Sequence, residues 1–207
     1  MIKPKLLLAT GNQGKLEELR QLLTGVPFDL ISPSDIGLNL DVHESGKTYA
    51  TNARLKARAF AVASGLLTLA DDSGLEVDAL GSAPGVLSSR YADPGASDSQ
   101  RVAYLLSKLE DVPWEQRTAR FRCVMEIALP HGKVELCSGS CRGIITFAPK
   151  GTNGFGYDPV FYFTKLGRTM AELPSEIKNR ISHRAKAAAR ARKILIELSM
   201  KNLSAGK

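Results

Sequence analysis

The segment Leu66-Leu67-Thr68-Leu69-Ala70-Asp71-Asp72-Ser73-Gly74 decides the fold class. Its first five residues form a short apolar run, which is typical of a buried strand. The run stops at two aspartates, which predicts polar chemistry at the carboxyl end of that strand. Adjacent residues of an extended chain point to opposite sides, so Asp71 and Asp72 are expected to have different roles. One could bind magnesium or orient water while the other caps backbone amides; an acidic turn without chemistry is the alternative.

A second strand lies near the N-terminus and leads into a glycine loop. Lys5 to Ala9 is a short apolar run, and the polar loop Thr10 to Gly14 follows it. Leu16, Leu19 and Leu23 then recur at helical spacing, with charged residues on the other face. The order is therefore strand, glycine loop and helix, and residues 28–31 could add another short strand.

Helices are expected on both sides of the two aspartates. The first begins at Tyr49 and ends at Gly65, because glycine commonly stops a helix. The residues expected on its buried face are Tyr49, Ala53, Phe60 and Ala63. A stretch rich in Gly, Ser and Pro over 81–96 then precedes a helix over about 98–109.

The second half of the chain changes to the period of a strand. Phe121, Cys123, Met125, Ile127 and Leu129 alternate along the chain, and a hairpin turn is predicted over 130–133. Further strands are expected over 134–137, 142–147 and 160–163. From Ser175 onward one helix is predicted. Its buried face is expected to consist of Ile177, Ile181, Ala185, Ala188, Leu195 and Leu198. These elements predict a mixed α/β sheet with helices on its faces, in one domain (1–207) whose second lobe falls roughly within 115–165.

Composition and charge narrow the class of protein. The 207 residues are 43% hydrophobic and 24% charged, as in an ordinary globular protein. The formal net charge of +7 favours an anionic partner: nucleic acid, an acidic membrane or a phosphorylated small molecule. No apolar run approaches the roughly 18 residues of a membrane span, and the N-terminal run is too short for a signal peptide. We therefore expect a cytoplasmic protein. Its three cysteines lack disulfide or zinc spacing and are expected to be buried packing residues.

The loop Thr10-Gly11-Asn12-Gln13-Gly14-Lys15 invites comparison with a P-loop and fails it. Ala9 occupies the position of the first required glycine, and Leu16 that of the magnesium-binding Ser or Thr. A glycine loop before a helix nevertheless presents backbone N–H groups to a phosphate, and Lys15 adds a positive charge. A turn with a surface lysine fits the segment equally well.

Three other groups of residues could carry chemistry. Glu44 precedes the helix that places Asn52 and Lys56 on one face, so these residues could hold metal and phosphate or form a solvated polar face. Phe155 and Tyr157 lie in the glycine-rich loop 151–158, where an aromatic ring could stack on a flat ligand or pack on its own lobe. Ser182-His183-Arg184 could donate to the carbonyl oxygens of a base or to phosphate, although a structural histidine is the simpler interpretation.

These segments together resemble the inosine triphosphate pyrophosphatase family of house-cleaning nucleotide hydrolases. The matching segments occur in the family's order and span nearly the whole chain. They are Thr10-Gly11-Asn12 with Lys15; Glu44 with Asn52-Ala53 and Lys56-Ala57; Asp71-Asp72-Ser73-Gly74 with Pro84-Gly85 and Ser89-Arg90-Tyr91; Gly154-Phe155-Gly156-Tyr157-Asp158-Pro159; and Ser182-His183-Arg184. Each motif is weak alone, but five in order are specific.

The resemblance implies an elongated mixed sheet flanked by helices, two lobes with a central nucleotide cleft, and a homodimer. It also implies roles. Glu44 and Asp72 are expected to bind Mg²⁺, with Asp72 as the general base. The residues expected to bind the triphosphate are Thr10, Gly11, Asn12, Gln13, Gly14, Lys15, Lys56 and Ser73. The residues expected on the base and sugar side are Phe155, Gly156, Tyr157, Asp158, Lys178, His183 and Arg184. Phe155 is expected to stack on the purine.

The expected reaction is hydrolysis of ITP, dITP or XTP to the monophosphate and pyrophosphate, which keeps these nucleotides out of DNA and RNA. Positioning and charge neutralisation supply most of the catalysis in such a reaction. Three alternatives stay open. They are a basic nucleic-acid-binding module, a related pyrophosphatase for modified pyrimidines or dTTP, and a nucleotide-binding protein without catalysis. Three acidic residues, Glu44, Asp71 and Asp72, argue against the first because they would repel phosphate unless a metal intervenes.

Overall fold

The structure is a computed structural model that describes residues 3–132 and 134–205. Its strands form one sheet with the order β2-β1-β3-β4-β5-β6-β7. The strands are β1 (Lys5–Leu8), β2 (Asp29–Ile31), β3 (Leu67–Val77), β4 (Thr118–Ala128), β5 (Val134–Ile145), β6 (Phe161–Phe163) and β7 (Arg168–Thr169). The helices are α1 (Gln13–Leu22), α2 (Tyr49–Ser64), α3 (Asp98–Ser107), α4 (Ser175–Ile181) and α5 (His183–Ala205).

The sheet is mixed, as the sequence predicts. Strand β1, next to the edge strand β2, pairs in parallel with both β2 and β3, with Leu6 opposite Leu30 and Leu67. The last strands pair antiparallel, β5 with β6 and β6 with β7. Parallel neighbours need a crossover connection. Helix α1 lies in the connection from β1 to β2, and α2 lies in the connection from β2 to β3.

The chain divides into two compact units, each with its own core. The first unit comprises Met1–Asp72, Cys123–Gly139 and Arg184–Lys207. Leucines of β1 alternate between two buried clusters in this unit. Leu6 and Leu8 pack with residues of α1, β4 and α5, whereas Leu7 packs with residues of α2. The alternation also carries through β3, so that Leu69 lies in the first cluster and Ala70 in the second.

The second unit comprises Ser73–Arg122 and Ser140–His183. Its core brings Leu75 and Val77 of β3 together with Phe121, Leu105 and Phe161. Residues 123–139 lie within the range predicted for the second lobe, yet they belong to the first unit. The organisation as a single domain stays a prediction.

Three sequence predictions of element boundaries were wrong. The strand predicted to end at Ala70 continues as β3 through the aspartates to Val77, because Leu75 and Val77 find a second core. The two strands predicted over 134–137 and 142–147 are one continuous strand, β5. The helix predicted from Ser175 is interrupted at Ser182, whose ψ of 162° is extended, so α5 begins anew at His183.

Other predictions have mixed outcomes. Ala63 and Ile177, expected on buried helix faces, are exposed. Lys133 of the predicted hairpin turn lies outside the described residues. The three cysteines are buried and form no disulfide among the described residues, as predicted. Among the described residues, no helix combines the length and the apolar character needed to cross a membrane.

Candidate active site

The loop after β1 presents the N-terminus of α1. Asn12 is the N-cap, and its side-chain oxygen accepts a hydrogen bond of 2.9 Å from the backbone N–H of Lys15. Thr10 Oγ1 accepts one of 3.2 Å from the N–H of Asn12. Within the described part of the chain, the N–H groups of Gln13 and Gly14 donate to no other group. These two N–H groups at the positive end of the helix dipole are suited to an anion.

Asp71 is the centre of a buried ion-pair cluster on the α1 and α5 side of β3. Its Oδ2 lies 3.2 Å from Nζ of Lys15 and 3.3 Å from Nη2 of Arg184. Arg184 also contacts Oε2 of Glu18 at 2.5 Å. The Asp71 side chain is fully buried, and that of Arg184 is 2% exposed. The carboxylate of Asp71 therefore serves to hold two cations in place.

Asp72 has a separate set of partners on the α2 side. Its Oδ2 accepts a hydrogen bond of 3.0 Å from Nδ2 of Asn52, and its Oδ1 lies 4.0 Å from Nζ of Lys56. Nζ of Lys56 also contacts Oε1 of Glu44 at 2.9 Å. The opposite directions predicted for the two aspartates are thus observed, and they follow from the two-residue period of the strand.

Asn52 orients this second set of residues. Its Oδ1 accepts a hydrogen bond of 2.8 Å from the backbone N–H of Gly46, which leaves Nδ2 to donate to Asp72. The side chain is completely buried, so its amide cannot exchange these partners for water. Asn52 thereby ties the loop after Glu44 to Asp72.

The two aspartates have opposite pKa shifts. Burial would raise the pKa of Asp71, but the charges of Lys15, Arg184 and Lys56 outweigh it and hold that pKa well below its usual range. The pKa of Asp72 is raised, chiefly by burial, with Lys56 opposing the shift and Glu44 adding to it. Asp72 is therefore the stronger proton acceptor of the pair.

The acidic residues of the second set could hold a divalent metal ion that takes few protein ligands. Glu44 and Asp72 both face Nζ of Lys56, so their oxygens converge on a position already occupied by positive charge. Over residues 3–132 and 134–205, no group of three or more His, Cys, Asp and Glu side chains is arranged for a metal. Magnesium commonly takes one or two carboxylates and completes its shell with water and substrate phosphates, which matches this pair.

The glycine-rich loop of the second unit carries an aromatic ring over a buried ion pair. Lys178 donates to Oδ2 of Asp158, and both side chains are buried. The same oxygen accepts a hydrogen bond of 3.0 Å from the backbone N–H of Phe155. Nζ of Lys178 lies 5.1 Å from the centre of the half-buried Phe155 ring. This cation–π contact helps to hold the ring in place.

The remaining predicted residues of this side have structural contacts. Tyr157 is buried and donates to the carbonyl oxygen of Ser88 at 2.9 Å. His183 is buried and stacks on Phe121, with ring centres 4.6 Å apart. Ser73, which was predicted for the triphosphate side, is half-buried within β3.

Comparison with known proteins identifies the family. The model of the Ham1 family matches residues 6–194. The chain belongs to the Ham1 family. It is 51% identical over 185 residues to the dITP/XTP pyrophosphatase of Geobacter sulfurreducens, covering 89% of this chain and 93% of that protein. It is 50% identical to the protein of the same name from Desulforamulus reducens, covering 94% and 96%. The structure of a Ham1 protein from Coxiella burnetii matches with a TM-score of 0.85 and 41% identity, covering 94% and 99%.

The resemblance inferred from the motifs is thus confirmed, and the structure adds residues that sequence reasoning did not assign. Asn52 was predicted only as a possible metal or phosphate residue, and its hydrogen bond to Asp72 was not predicted. Glu18 was interpreted only as one of the charged residues on the outer face of α1. In this Ham1-family chain, Arg184 was grouped with Lys178 and His183, but it contacts Asp71 and Glu18 in the first unit. Its predicted contact with the base stays a prediction. The pattern Lys15-x-x-Glu18 on one helix face was the available signal for Glu18.

Gly154→Ala is expected to lower the free energy of unfolding of this Ham1-family protein by more than backbone strain alone would. Gly154 has a φ of +75°, and an added Cβ would overlap Oδ2 of Asp158 and lie 2.8 Å from Nζ of Lys178. Gly65→Ala is the matched control, because its φ is +69° and an added Cβ would meet nothing within 4 Å. The control should lose about 1 to 2 kcal/mol in urea unfolding, the cost of a left-handed non-glycine residue. An equal loss in both variants would contradict a tight fit around Asp158.

Proposed function

We propose that this protein is a nucleoside triphosphate pyrophosphatase that hydrolyses ITP, dITP and XTP to the monophosphate and pyrophosphate. The observation that carries the proposal is the set around Asp72, in which two carboxylates and an ammonium converge. The names of the relatives from Geobacter sulfurreducens and Desulforamulus reducens support the same reaction and the same bases.

The triphosphate binds around the start of α1 and Lys56 in this proposal. The N–H groups of Gln13 and Gly14 and the side chain of Lys15 supply positive charge at the start of α1. Lys56 supplies a second ammonium, and burial alone would lower its pKa. The charges of Asp71, Glu44 and Asp72 outweigh burial and raise that pKa, so Lys56 stays charged at neutral pH. The remaining proposed contacts come from Thr10, Gly11, Asn12 and Ser73.

Glu44 and Asp72 would hold the magnesium ion. When bound, the ion neutralises phosphate charge and polarises the bond that breaks. The residues themselves provide the aligned oxygens, and Asn52 keeps the carboxylate of Asp72 in its orientation through the 3.0 Å hydrogen bond. A carboxylate whose partners are fixed in advance loses little freedom when substrate arrives.

Asp72 is the proposed general base. Hydrolysis of the α–β anhydride adds the oxygen of one water to phosphorus, breaks a phosphorus–oxygen bond and releases pyrophosphate. The water proton passes to a carboxylate oxygen, for which the raised pKa of Asp72 is favourable. Asp71 is unsuited to this task because Lys15 and Arg184 stabilise its charged form.

The base binds around Phe155 in the same proposal. Phe155 stacks on the purine, and the ammonium beneath its ring keeps the ring in place. Lys178, His183 and Arg184 are the proposed donors on the base and sugar side, together with Asp158, Gly156 and Tyr157. Donors aimed at a 6-keto oxygen would be left without an acceptor by adenine, which disfavours ATP.

The same proposal includes the metal, the oligomeric state and the cellular compartment. The metal is magnesium, the protein is a homodimer, and it works in the cytoplasm. Oxygen-only ligands at Glu44 and Asp72 support magnesium. The three cysteines form no disulfide among the described residues, as a reducing compartment permits, which supports the cytoplasm.

The test is a pyrophosphate-release assay with ITP, XTP, GTP, dTTP and ATP, with and without magnesium. We expect release from ITP and XTP in the presence of magnesium, and at least about tenfold less from ATP, since one missing hydrogen bond is worth that factor. A preference for dTTP would assign the site to another base class. No release from any triphosphate would end the proposal in favour of a binding protein.

A further inference from the structure

The loop that carries Phe155 is attached to the start of α3. We call residues 154–158 the base loop. Its Gly156 N–H donates to Oδ2 of Asp98 at 2.6 Å. The next residue, Tyr157, donates its hydroxyl to the carbonyl oxygen of Ser88 at 2.9 Å. All of these residues belong to the second unit. The base loop is therefore held on one side by Lys178 through Asp158 and on the other by the segment that leads into α3.

Asp98 is itself held by Arg101. Nη2 of Arg101 donates to Oδ1 of Asp98, while Nη1 donates to the carbonyl oxygen of Ser89 at 3.1 Å and to that of Ala96. The Arg101 side chain is only 17% exposed. The two oxygens of Asp98 thus have separate partners, Arg101 and the base loop. The Asp98 side chain is 46% exposed, so these two partners, one on each oxygen, are what restrain it from turning away from Gly156.

Stabilisation of α3 does not account for this placement of the carboxylate. An acidic residue in the first turn of a helix is favourable wherever it points. The start of α3 is already capped, because Ser97 accepts from the N–H of Gln100 and the side chain of Gln100 accepts from the N–H of Ser97. The contact from Asp98 to Gly156 spans 58 positions of the chain and lies outside that capping box.

Gly156 separates Phe155 from Tyr157 and has a φ of +63°. An added Cβ there would meet nothing within 4 Å, so no neighbouring atom confines the residue in that direction. The hydrogen bond from its backbone N–H to Asp98 restrains it directly. Because one peptide plane connects Phe155 to Gly156, that restraint reaches the aromatic ring.

We propose that Asp98 is a positioning residue for base recognition: by accepting from the Gly156 N–H, it holds the base loop so that Phe155 presents its ring to the purine. The inference rests on the proposed pyrophosphatase function. Asp98 then acts on the binding of the base and leaves the proposed triphosphate contacts at the start of α1 unchanged.

The experiment compares Asp98→Ala with Ser97→Ala, which weakens the same helix end without touching the base loop. We expect Asp98→Ala to raise the KM for ITP about tenfold, the factor for losing one charge-assisted hydrogen bond. Its kcat should change less than its KM. The inhibition constant of inorganic tripolyphosphate, which has no base, should stay at the wild-type value. Asp98→Asn keeps an acceptor oxygen and should recover most of the loss.

A second measurement needs no substrate. Amide hydrogen exchange at Gly156 should be faster in Asp98→Ala than in the wild type, and unchanged in Ser97→Ala. Equal effects of the two substitutions on exchange and KM would overturn the inference while leaving the proposed function intact. An equal weakening of tripolyphosphate and ITP by Asp98→Ala would also overturn it. A wild-type protein that releases no pyrophosphate would overturn both the function and the inference that rests on it.

Discussion

The Asp72→Asn variant is expected to release pyrophosphate from ITP about 1,000-fold more slowly than the wild type, or slower still. The substitution removes the proposed general base and one of the two carboxylates that face Lys56. Asparagine keeps the shape of the side chain and an oxygen that can accept from Asn52. The loss should therefore appear in kcat, measured by pyrophosphate release at saturating ITP and magnesium.

Stability should be preserved in this variant. The pKa of Asp72 is raised in the folded protein, so its charged form is disfavoured there relative to the unfolded chain. Removing the charge at neutral pH consequently relieves a cost. The midpoint of thermal unfolding should stay close to that of the wild type or rise. A kcat within tenfold of the wild type would exclude Asp72 as the base.

Asp71→Asn is the matched comparison, one residue away on the same strand. The folded-state pKa of Asp71 is depressed, so its contribution to stability is present above the unfolded-state pKa of about 3.9 and disappears as pH falls through the folded value. At neutral pH the substitution leaves Lys15 and Arg184 without the carboxylate they share. We expect a loss of about 3 kcal/mol or more in urea unfolding. Equal stability of the two variants would contradict the separate environments of the aspartates.

The directions of these two side chains could be predicted because they depend only on strand geometry. An extended chain alternates regardless of which partners it meets, so Asp71 and Asp72 had to diverge. The end of the strand could not be predicted in the same way. Ser73 and Gly74 are poor strand formers, and the strand passes through them because Leu75 and Val77 are buried in a second core.

Contacts between distant segments were also beyond the sequence pattern. Arg184 lies 113 positions from Asp71, and nothing in its helical surroundings distinguishes this carboxylate from Asp158 as a partner. Asp98 was missed for a similar reason. An acidic residue at a helix start has a sufficient local explanation, which hides its contact with Gly156. Family resemblance identified the motifs, but it did not indicate which atoms join them.

Lys15→Ala is the second substitution with a large expected effect, because it removes a cation from the proposed triphosphate site. The Lys15 side chain is 16% exposed, and its Nζ lies 3.2 Å from Oδ2 of Asp71. This contact holds the ammonium near the start of α1. A triphosphate places more charge near this ammonium than a monophosphate does. We expect the inhibition constant of tripolyphosphate to rise about 100-fold, corresponding to the loss of a strong charge-assisted contact. The dissociation constant of IMP, measured by calorimetry, should change much less.

The control for Lys15→Ala is Arg20→Ala on the same helix. Arg20 also carries one positive charge, but it pairs with Asp35 at the surface, where both side chains are more than 40% exposed. That pair contributes little to stability, and its removal changes the net charge by the same amount. If the effect of Lys15 were a general attraction of anions by a basic protein, both variants would weaken tripolyphosphate alike, and the effect would vanish at high salt. A specific contact predicts that only Lys15→Ala weakens binding at 0.15 M salt. Equal weakening of IMP and tripolyphosphate would instead place Lys15 away from the β and γ phosphates.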